Sequence, residues 1–400
     1  MNRLSLYIHI PFCVKKCHYC DFLSAPCKEE TRQEYVDTLC IEINQRAKLF
    51  KDKKVDTIFF GGGTPSLLSG EQLGKIMTAI KQEFEVLSDA EISMEVNPGT
   101  ISREKLEAYQ KYGVNRLSIG LQSADNEELK VLGRIHTWET FVQTWNLVRD
   151  LGFRNVNIDL MSALPGQTLE SYGNTLKKVL ALKPEHISAY SLIIEEGTRF
   201  YEWFTDEEEL QSMLDEKELQ KNISEDKYEA FKRKKLPDEV ADRQMYEMTR
   251  DLLEEHGYYR YEISNYALKG YECKHNVGYW KRKEYLGLGL GAASLIDNVR
   301  SSNVSELAEY FELNWTAEQD ELSIKEQMEE FMFLGLRMME GISAQEFETQ
   351  FGKSLQEVYG KQISNLEKQG LLKFDEKEGR YALTLYGIDV SNQVFVEFID

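Results

Sequence analysis

The 400-residue sequence contains no apolar run approaching the ~18 residues that a membrane-spanning helix requires. Basic residues are scarce: 48 Lys and Arg stand against 68 Asp and Glu, which gives a formal net charge of −20. General binding to nucleic acid or to anionic lipid is therefore not expected, because both depend on clustered positive charge. The first residues also lack the layout of a signal peptide, so we expect a cytoplasmic protein without an integral membrane segment.

Cysteine is also scarce, and its distribution is uneven. Six cysteines in a chain of this length do not make a disulfide framework, yet Cys13, Cys17 and Cys20 lie within eight positions of one another. In a chain without a secretion signal, such a group indicates metal or redox chemistry more often than cross-linking.

The first half of the chain alternates short apolar runs with amphipathic helices. Such alternation predicts parallel strands joined by right-handed crossovers. Because six units are fewer than the eight of a complete barrel, we predict an α/β fold with a partial (βα)6 TIM-like barrel over residues 1–200. The predicted strands are 4–10, 55–60, 91–96, 115–119, 155–160 and 186–192.

Three further segments follow this predicted barrel. Residues 201–242 are dense in charge and are predicted to form a solvated helical insertion. Residues 243–319 are predicted to extend the barrel and contain a tight glycine-rich turn at 287–291. Residues 320–400 combine three helices with a hairpin, which predicts a C-terminal α+β domain like a winged helix. Its last helix carries few basic residues, so a packing or lid function is favoured over DNA binding.

Polar residues follow or end several of the predicted strands. The cysteine group comes after the first strand and a glycine-rich turn after the second, while Glu95, Gln122 and Asp159 lie at the ends of the third, fourth and fifth. In parallel barrels the reactive groups collect at the carboxyl ends of the strands. The sequence therefore predicts one shared site.

The cysteine spacing C-x3-C-x2-C favours an iron–sulfur cluster. Three thiolates from one loop can hold three irons of a four-iron cubane and leave the fourth iron open to a ligand, whereas an electron carrier normally closes all four corners. The alternative is a zinc site with His9 or His18 as fourth ligand, although zinc sites usually pair two such knuckles and a second knuckle is not seen in the sequence.

This spacing, with Tyr19 directly before the last cysteine and the glycine-rich turn after the second strand, resembles the radical S-adenosylmethionine (SAM) superfamily. The resemblance implies that the open iron chelates SAM and that one electron cleaves it to methionine and a 5′-deoxyadenosyl radical. Further segments resemble the oxygen-independent coproporphyrinogen III oxidase family and its relatives. They are YIHIPFC at 7–13, GGGTPS at 61–66, EVNP at 95–98, SIGLQS at 118–123, GRIH at 133–136 and NIDL at 157–160.

The same resemblance implies a set of SAM-binding residues. Backbone N–H groups of the glycine turn can approach a ligand closely, an arginine can fork onto a carboxylate, and polar strand ends suit an amino group and ribose hydroxyls. Without the resemblance, each would be read as an ordinary turn, surface ion pair, cap or packing residue. The implied residues are Tyr7, Tyr19, Gly62, Gly63, Thr64, Glu95, Gln122, Arg134 and Asp159.

Two departures distinguish this chain from the decarboxylating oxidases. That family carries a further cysteine two residues past the third, where this sequence has Phe22, and an extension before its first strand that we do not expect here. A positive signal is HNVGYW at 275–280, which matches the HNxxYW motif of the heme chaperones, the HemW group.

The motif implies a heme site formed by His275, Asn276, Tyr279 and Trp280. An imidazole can ligate heme iron, and the aromatic rings offer flat apolar faces to a porphyrin. The alternative is a histidine and two aromatics packed in the core. Cys273, two residues earlier, is expected to be a buried spectator thiol rather than a second ligand.

We therefore predict a porphyrin-related protein that binds heme and transfers it to an acceptor, with a SAM-coordinated [4Fe–4S] cluster. Its expected partners are heme, an unidentified acceptor protein and an electron donor such as a flavodoxin or ferredoxin, with no nucleic acid. The alternative is a coproporphyrinogen III dehydrogenase, an activity that we do not expect, and no catalytic residue is assigned. A winged-helix regulator with a sensor cluster is a third class, which the charge balance disfavours.

Overall fold

In the computed structural model, which describes residues 3–204 and 236–399, six parallel strands form the middle of a twelve-stranded sheet. They lie side by side in chain order, and helices connect each strand to the next, so the predicted partial (βα)6 barrel is confirmed. The strands are β1 (Arg3–Ile10), β2 (Lys54–Gly62), β3 (Glu85–Val96), β4 (Arg116–Gln122), β5 (Val156–Ser162) and β6 (His186–Ser191). The helices are α1 (Glu29–Arg46), α2 (Gly70–Glu83), α3 (Arg103–Tyr112), α4 (Asn126–Val131), α5 (Trp138–Asp150) and α6 (Leu169–Leu182).

Local sequence signals begin several of these helices. Ser69 before α2 and Thr168 before α6 each form a capping box, in which the cap side chain accepts from a backbone N–H of the first turn. Ser102 caps α3, because its side chain accepts from the backbone N–H of Lys105.

The two faces of the parallel sheet differ in polarity. On β4, Leu117, Ile119 and Leu121 belong to the main hydrophobic core, whereas the intervening Arg116 and Ser118 are buried on the opposite face. Successive side chains of a strand point to opposite faces, so the apolar face packs under the helices and the polar face lines the interior of the barrel. This interior positions the candidate site.

Additional strands extend both edges of the sheet. Beyond β1 lies β9, which is parallel to it, followed by three antiparallel strands; beyond β6 lie two antiparallel strands. Their bounds are β7 (Tyr259–Glu262), β8 (Asn265–Ala267), β9 (Tyr285–Leu288), β10 (Ala293–Ile296), β11 (Val299–Asn303) and β12 (Thr316–Glu321).

The glycine-rich turn predicted at 287–291 is partly wrong, because Gly287 lies inside β9. A Cβ atom there would lie 2.1 Å from the carbonyl oxygen of Ala293, so glycine is required for close backbone packing. Only Gly289 (φ +101°) and Gly291 (φ +64°) adopt the left-handed geometry expected of a turn.

A buried carboxylate joins this extension to the first helix. Glu42 of α1 accepts hydrogen bonds from the Gly289 backbone N–H (2.9 Å), the Asn303 side-chain amide (2.7 Å) and the Tyr310 hydroxyl (2.6 Å). Its charge is paired with Arg46 at 3.2 Å. Burial raises the pKa of Glu42, so these contacts offset the cost of desolvating it.

The C-terminal segment has a hydrophobic core of its own. Within residues 322–399, five helices and a three-stranded sheet form it. The three longer helices and the hairpin confirm the prediction, and a short strand and two short helices are additional. The elements are α11 (Ile324–Gly335), β13 (Ile342–Ser343), α12 (Ala344–Phe351), α13 (Leu355–Lys368), β14 (Leu372–Asp375), β15 (Arg380–Leu383), α14 (Leu385–Asp389) and α15 (Ser391–Val396). The predicted domain boundaries stay predictions.

Four further helices complete the description: α7 (Arg199–Phe204), α8 (Glu239–Glu255), α9 (Lys274–Trp280) and α10 (Leu307–Phe311). Most of the predicted charged insertion, residues 205–235, lies outside the described residues. In the described ranges, no helix is both long enough and apolar enough to cross a bilayer.

Candidate functional site

The cysteine loop begins where β1 ends, at the rim of the barrel. The thiols of Cys13, Cys17 and Cys20 are half-buried, and none of them forms a disulfide. The backbone N–H of Cys13 donates to the Ala25 carbonyl at 3.1 Å, which closes the loop back on itself. Phe22, at the position of the oxidases' further cysteine, is 59% exposed.

His9 fastens this loop to β1, a role that the sequence did not indicate. Its Nε2 lies 2.9 Å from the Leu23 carbonyl, which can only accept, so this nitrogen carries the proton. Its Nδ1 then accepts from the Tyr7 hydroxyl at 3.0 Å. Both ring nitrogens are engaged, so a zinc site using His9 would have to break these contacts. Burial lowers the pKa of His9, consistent with a neutral ring.

Two hydrogen-bond donors point at the cysteine sulfurs. The Thr64 hydroxyl donates to Cys13 Sγ at 3.4 Å, and Arg134 Nη1 donates to Cys17 Sγ at 3.7 Å. Asn97 connects them: its amide nitrogen donates to Thr64 Oγ1, and its oxygen accepts from Arg134 Nη2, both at 2.7 Å. Hydrogen bonds to the sulfurs are one of the features by which a protein adjusts the properties of an iron–sulfur cluster.

The glycine turn lies directly beside the cysteine loop, and its first two glycines belong to the end of β2, not to a turn after it. Gly62 has φ +109°, and a Cβ atom on it would lie 2.5 Å from the His9 ring. A Cβ atom on Gly63 would lie 2.7 Å from the Phe12 carbonyl oxygen, while the Gly63 N–H donates to Ile10 O at 2.9 Å. The turn thus needs glycine for both its conformation and its close approach to the cysteine loop.

Two half-buried carboxylates occupy the interior just below the rim. Glu95 accepts from the Gly62 N–H at 3.2 Å, and burial, followed by the nearby charge of Asp159, raises its pKa to about 8. Burial likewise raises the pKa of Asp159, which accepts from Ser118 (3.2 Å) and Asn157 (2.7 Å). The prediction that Asp159 ends its strand is wrong, because β5 continues to Ser162.

Gln122 and Arg134 complete the rim. Gln122 ends β4 at φ +71°, a strained value for a residue other than glycine. Within residues 3–204 and 236–399, neither Gln122 Oε1 nor Arg134 Nε has a hydrogen-bond partner although both are buried. Burial raises the pKa of Tyr19, and the nearby Arg134 guanidinium lowers it in part. Cysteine thiols, sulfur-directed donors, a glycine cradle and unsatisfied polar atoms together fit an iron–sulfur cluster with a polar ligand.

Helix α9, which carries HNxxYW, closes the opposite end of the barrel interior. The ring of His275 is buried, with Nδ1 2.8 Å from the Thr57 hydroxyl and Nε2 2.9 Å from the Tyr279 hydroxyl. Its backbone N–H donates to Glu91 at 3.2 Å, and its ring stacks on Phe59 at 5.1 Å. Burial lowers the pKa of His275 to about 3. In this arrangement the imidazole is a packed, neutral core group.

The remaining residues of the motif segment differ in exposure. Cys273 is buried, with Sγ 3.6 Å from Glu91, and burial raises its pKa to about 12, as expected of a spectator thiol. Asn276 and Trp280 are half-buried, and the guanidinium of Arg337 lies 4.4 Å from the Trp280 ring. Trp280 therefore faces away from the interior that holds His275.

A site for one zinc ion is the alternative that the sequence leaves open to an iron–sulfur cluster. Within the described parts of the chain, no three His, Cys, Asp or Glu side chains converge where one metal ion would bind.

Two family models match the chain. Residues 7–179 match the radical SAM superfamily, and residues 322–390 match the HemN C-terminal domain. The heme chaperone HemW of Bacillus subtilis is 36% identical, with 99% of both chains covered. HemW of Lactococcus lactis is also 36% identical over 99% of this chain and 97% of its own. The E. coli protein of that name is 40% identical over 72% of this chain and 69% of its own.

Among solved structures, the chain resembles coproporphyrinogen III oxidase (HemN) of E. coli, a radical SAM enzyme. The TM-score is 0.81 at 25% identity, with 99% of this chain and 90% of the other covered. The likeness extends across the barrel and the C-terminal segment together.

Proposed function

Because the chain belongs to the HemW family of radical SAM proteins, we propose that it is a heme chaperone, which binds heme and transfers it to an acceptor protein. The observation that carries this proposal is similarity to HemW proteins along almost the whole chain. Phe22, which is exposed, stands where the decarboxylating oxidases carry a further cysteine. This supports the proposal, because the chain lacks a thiol that distinguishes those enzymes from the heme chaperones.

We further propose that Cys13, Cys17 and Cys20 hold a [4Fe–4S] cluster and that SAM binds its open iron. When bound, such a cluster supplies an electron to SAM, delivered by a donor such as a flavodoxin or ferredoxin. Thr64 and Arg134 donate hydrogen bonds to the sulfurs of Cys13 and Cys17 that would hold the cluster. The proposed SAM-binding residues are Tyr7, Tyr19, Gly62, Gly63, Thr64, Glu95, Gln122, Arg134 and Asp159.

Heme binding by the HNxxYW segment remains a prediction. The four residues of the motif differ in how accessible they are to a ligand. Ligation by His275 would break its hydrogen bonds to Thr57 and Tyr279 and remove it from its stack on Phe59. Trp280, near the end of the same helix, is partly accessible.

The proposal is tested with anaerobically reconstituted full-length protein. We expect heme to bind and then to pass to an apo-acceptor added in excess, and no protoporphyrinogen IX to form when SAM, reductant and coproporphyrinogen III are supplied. Formation of protoporphyrinogen IX would overturn the chaperone proposal in favour of the dehydrogenase. Cys17→Ala is the matched variant, because it removes the cluster and so separates heme binding from cluster-dependent transfer.

A further inference from the structure

The side chain of Asn97 joins the two groups that donate hydrogen bonds to the cysteine sulfurs. Asn97 follows β3 directly, at the carboxyl end of the parallel strands. Its backbone is held by the turn that begins there: the Asn97 carbonyl accepts from the Thr100 hydroxyl at 2.7 Å, and the Asn97 N–H donates to Ser66 Oγ at 3.2 Å. The next residue is Pro98, which restricts the conformation of Asn97 further. The amide is therefore presented to its neighbours from a fixed position.

The Arg134 guanidinium determines which way the Asn97 amide faces. An arginine side chain has only donors, so the amide atom that lies 2.7 Å from Arg134 Nη2 has to be the oxygen. Arg134 is held by a second contact, in which Nη2 donates to the Gly120 carbonyl at 2.6 Å. The amide nitrogen of Asn97 then faces Thr64, at 2.7 Å from its hydroxyl oxygen. The orientation of the amide is thus fixed by its charged neighbour.

The amide in turn fixes the direction of the Thr64 hydroxyl. An amide nitrogen can only donate, so the Thr64 oxygen accepts from Asn97 and its single proton has to point elsewhere. The acceptor within reach is Cys13 Sγ, at 3.4 Å. Thr64 is 2% exposed, so water has little access to this proton. The same amide holds Arg134, which donates to Cys17 Sγ at 3.7 Å, so one side chain arranges both sulfur contacts.

We propose that Asn97 is a positioning residue that directs the Thr64 hydroxyl onto the Cys13 sulfur and thereby raises the reduction potential of the cluster. This inference rests on the proposed function, because it requires the [4Fe–4S] cluster on Cys13, Cys17 and Cys20. Reduction adds one negative charge to the cluster, and hydrogen bonds to its sulfurs stabilise that charge. A higher potential makes the cluster easier for a donor protein to reduce.

The test is redox titration of the anaerobically reconstituted full-length protein, followed by the EPR signal of the reduced cluster. Asn97→Asp keeps the size of the side chain but places an acceptor beside the Thr64 hydroxyl, which then donates to the carboxylate instead of to sulfur. We expect the equilibrium constant for reduction to fall about tenfold, which corresponds to about 59 mV for a one-electron couple. Thr64→Val should lower it by a similar factor, and Thr64→Ser, which retains the hydroxyl, should match the wild type.

A double variant separates the charge of the new carboxylate from the reversal of the hydroxyl. Asn97→Asp should have a smaller effect in the Thr64→Val background, because that background has no hydroxyl to redirect. Asn97→Ala, which adds no charge, should lower the equilibrium constant about threefold. The matched control is Asn115→Asp, which should leave the potential unchanged. Asn115 bridges the Ile92 N–H and the Ala90 carbonyl directly before β4, at the opposite end of the strands.

Equal effects of Asn97→Asp with and without the Thr64 hydroxyl would overturn the positioning role and leave the cluster assignment standing. If Asn97→Asp does not retain its cluster, Asn97→Ala decides the question: a wild-type potential at wild-type iron and sulfide content would overturn the role. If the wild type holds no iron and sulfide after reconstitution, the proposed cluster is overturned and the role of Asn97 with it.

Discussion

Replacing Glu95 with glutamine should stabilise the cluster-free protein, and by more as the pH rises. Burial raises the pKa of Glu95 from 4.5 to about 8 in the folded state. Between these values the folded state binds more protons than the unfolded state, so stability falls with rising pH. The contribution of Glu95 is fully favourable below its unfolded pKa and is lost as the pH rises through its folded pKa.

The magnitude follows from the difference between the two pKa values, at ~1.4 kcal/mol for each pH unit. The penalty reaches about 3 kcal/mol at pH 7 and about 5 kcal/mol above pH 8.5. Glutamine keeps the acceptor for the Gly62 N–H and removes the ionisation. The variant should therefore match the wild type near pH 4.5 and exceed it progressively at higher pH.

The assay is urea unfolding of the cluster-free protein, followed by tryptophan fluorescence at several pH values from 5 to 9. Glu318→Gln, on the fully exposed strand β12, is the matched control and should show no pH-dependent difference. A gain for Glu95→Gln that is constant across this range, or that shrinks with pH, would refute the reasoning. Above pH 8, where Glu95 is ionised, the variant should also bind SAM less tightly than the wild type in the reconstituted protein, because glutamine lacks the negative charge that attracts a cation.

Three further outcomes are expected. Cys17→Ser should abolish the visible iron–sulfur absorbance after reconstitution, whereas Cys27→Ser should retain it; loss in both would contradict the three-cysteine assignment. Gly62→Ala should weaken cluster retention at least tenfold, since its Cβ atom collides with the His9 ring, and unchanged iron and sulfide content would contradict this. Glu42→Ala should lower the free energy of unfolding by about 3 kcal/mol, because it leaves buried donors unpaired, and an unchanged urea midpoint would argue against that.

Much of the barrel could be predicted because buried parallel strands are short apolar runs between helix signals. The expected strand at 155–160 corresponds to Val156–Ser162, and the third strand differs only by an earlier start at Glu85. Gly287 was misassigned to a turn because a glycine that permits close backbone approach has the same local sequence as one that adopts positive φ. Only its position against Ala293 in the folded chain distinguishes the two.

The candidate site was predictable where one segment carries the chemistry and less so where distant segments meet. Cysteine spacing indicated the loop, but the fastening of that loop by His9 and the bridge formed by Asn97 depend on contacts that no local pattern shows. In the motif around His275, by contrast, a local pattern is present but does not reveal the contacts of the histidine. Its partner Thr57 lies 218 positions away, and without that contact a core histidine looks the same as a ligand.

The polar interior of the barrel explains why the end opposite the rim has to be closed. Strand β4 turns Arg116 and Ser118 inward, and an open lower end would let water compete for every hydrogen bond among the interior groups. Helix α9 closes that end through its contacts with Thr57 of β2 and Glu91 of β3, which are paired in the sheet. The rim then stays the accessible end, where we propose that the cluster and SAM bind.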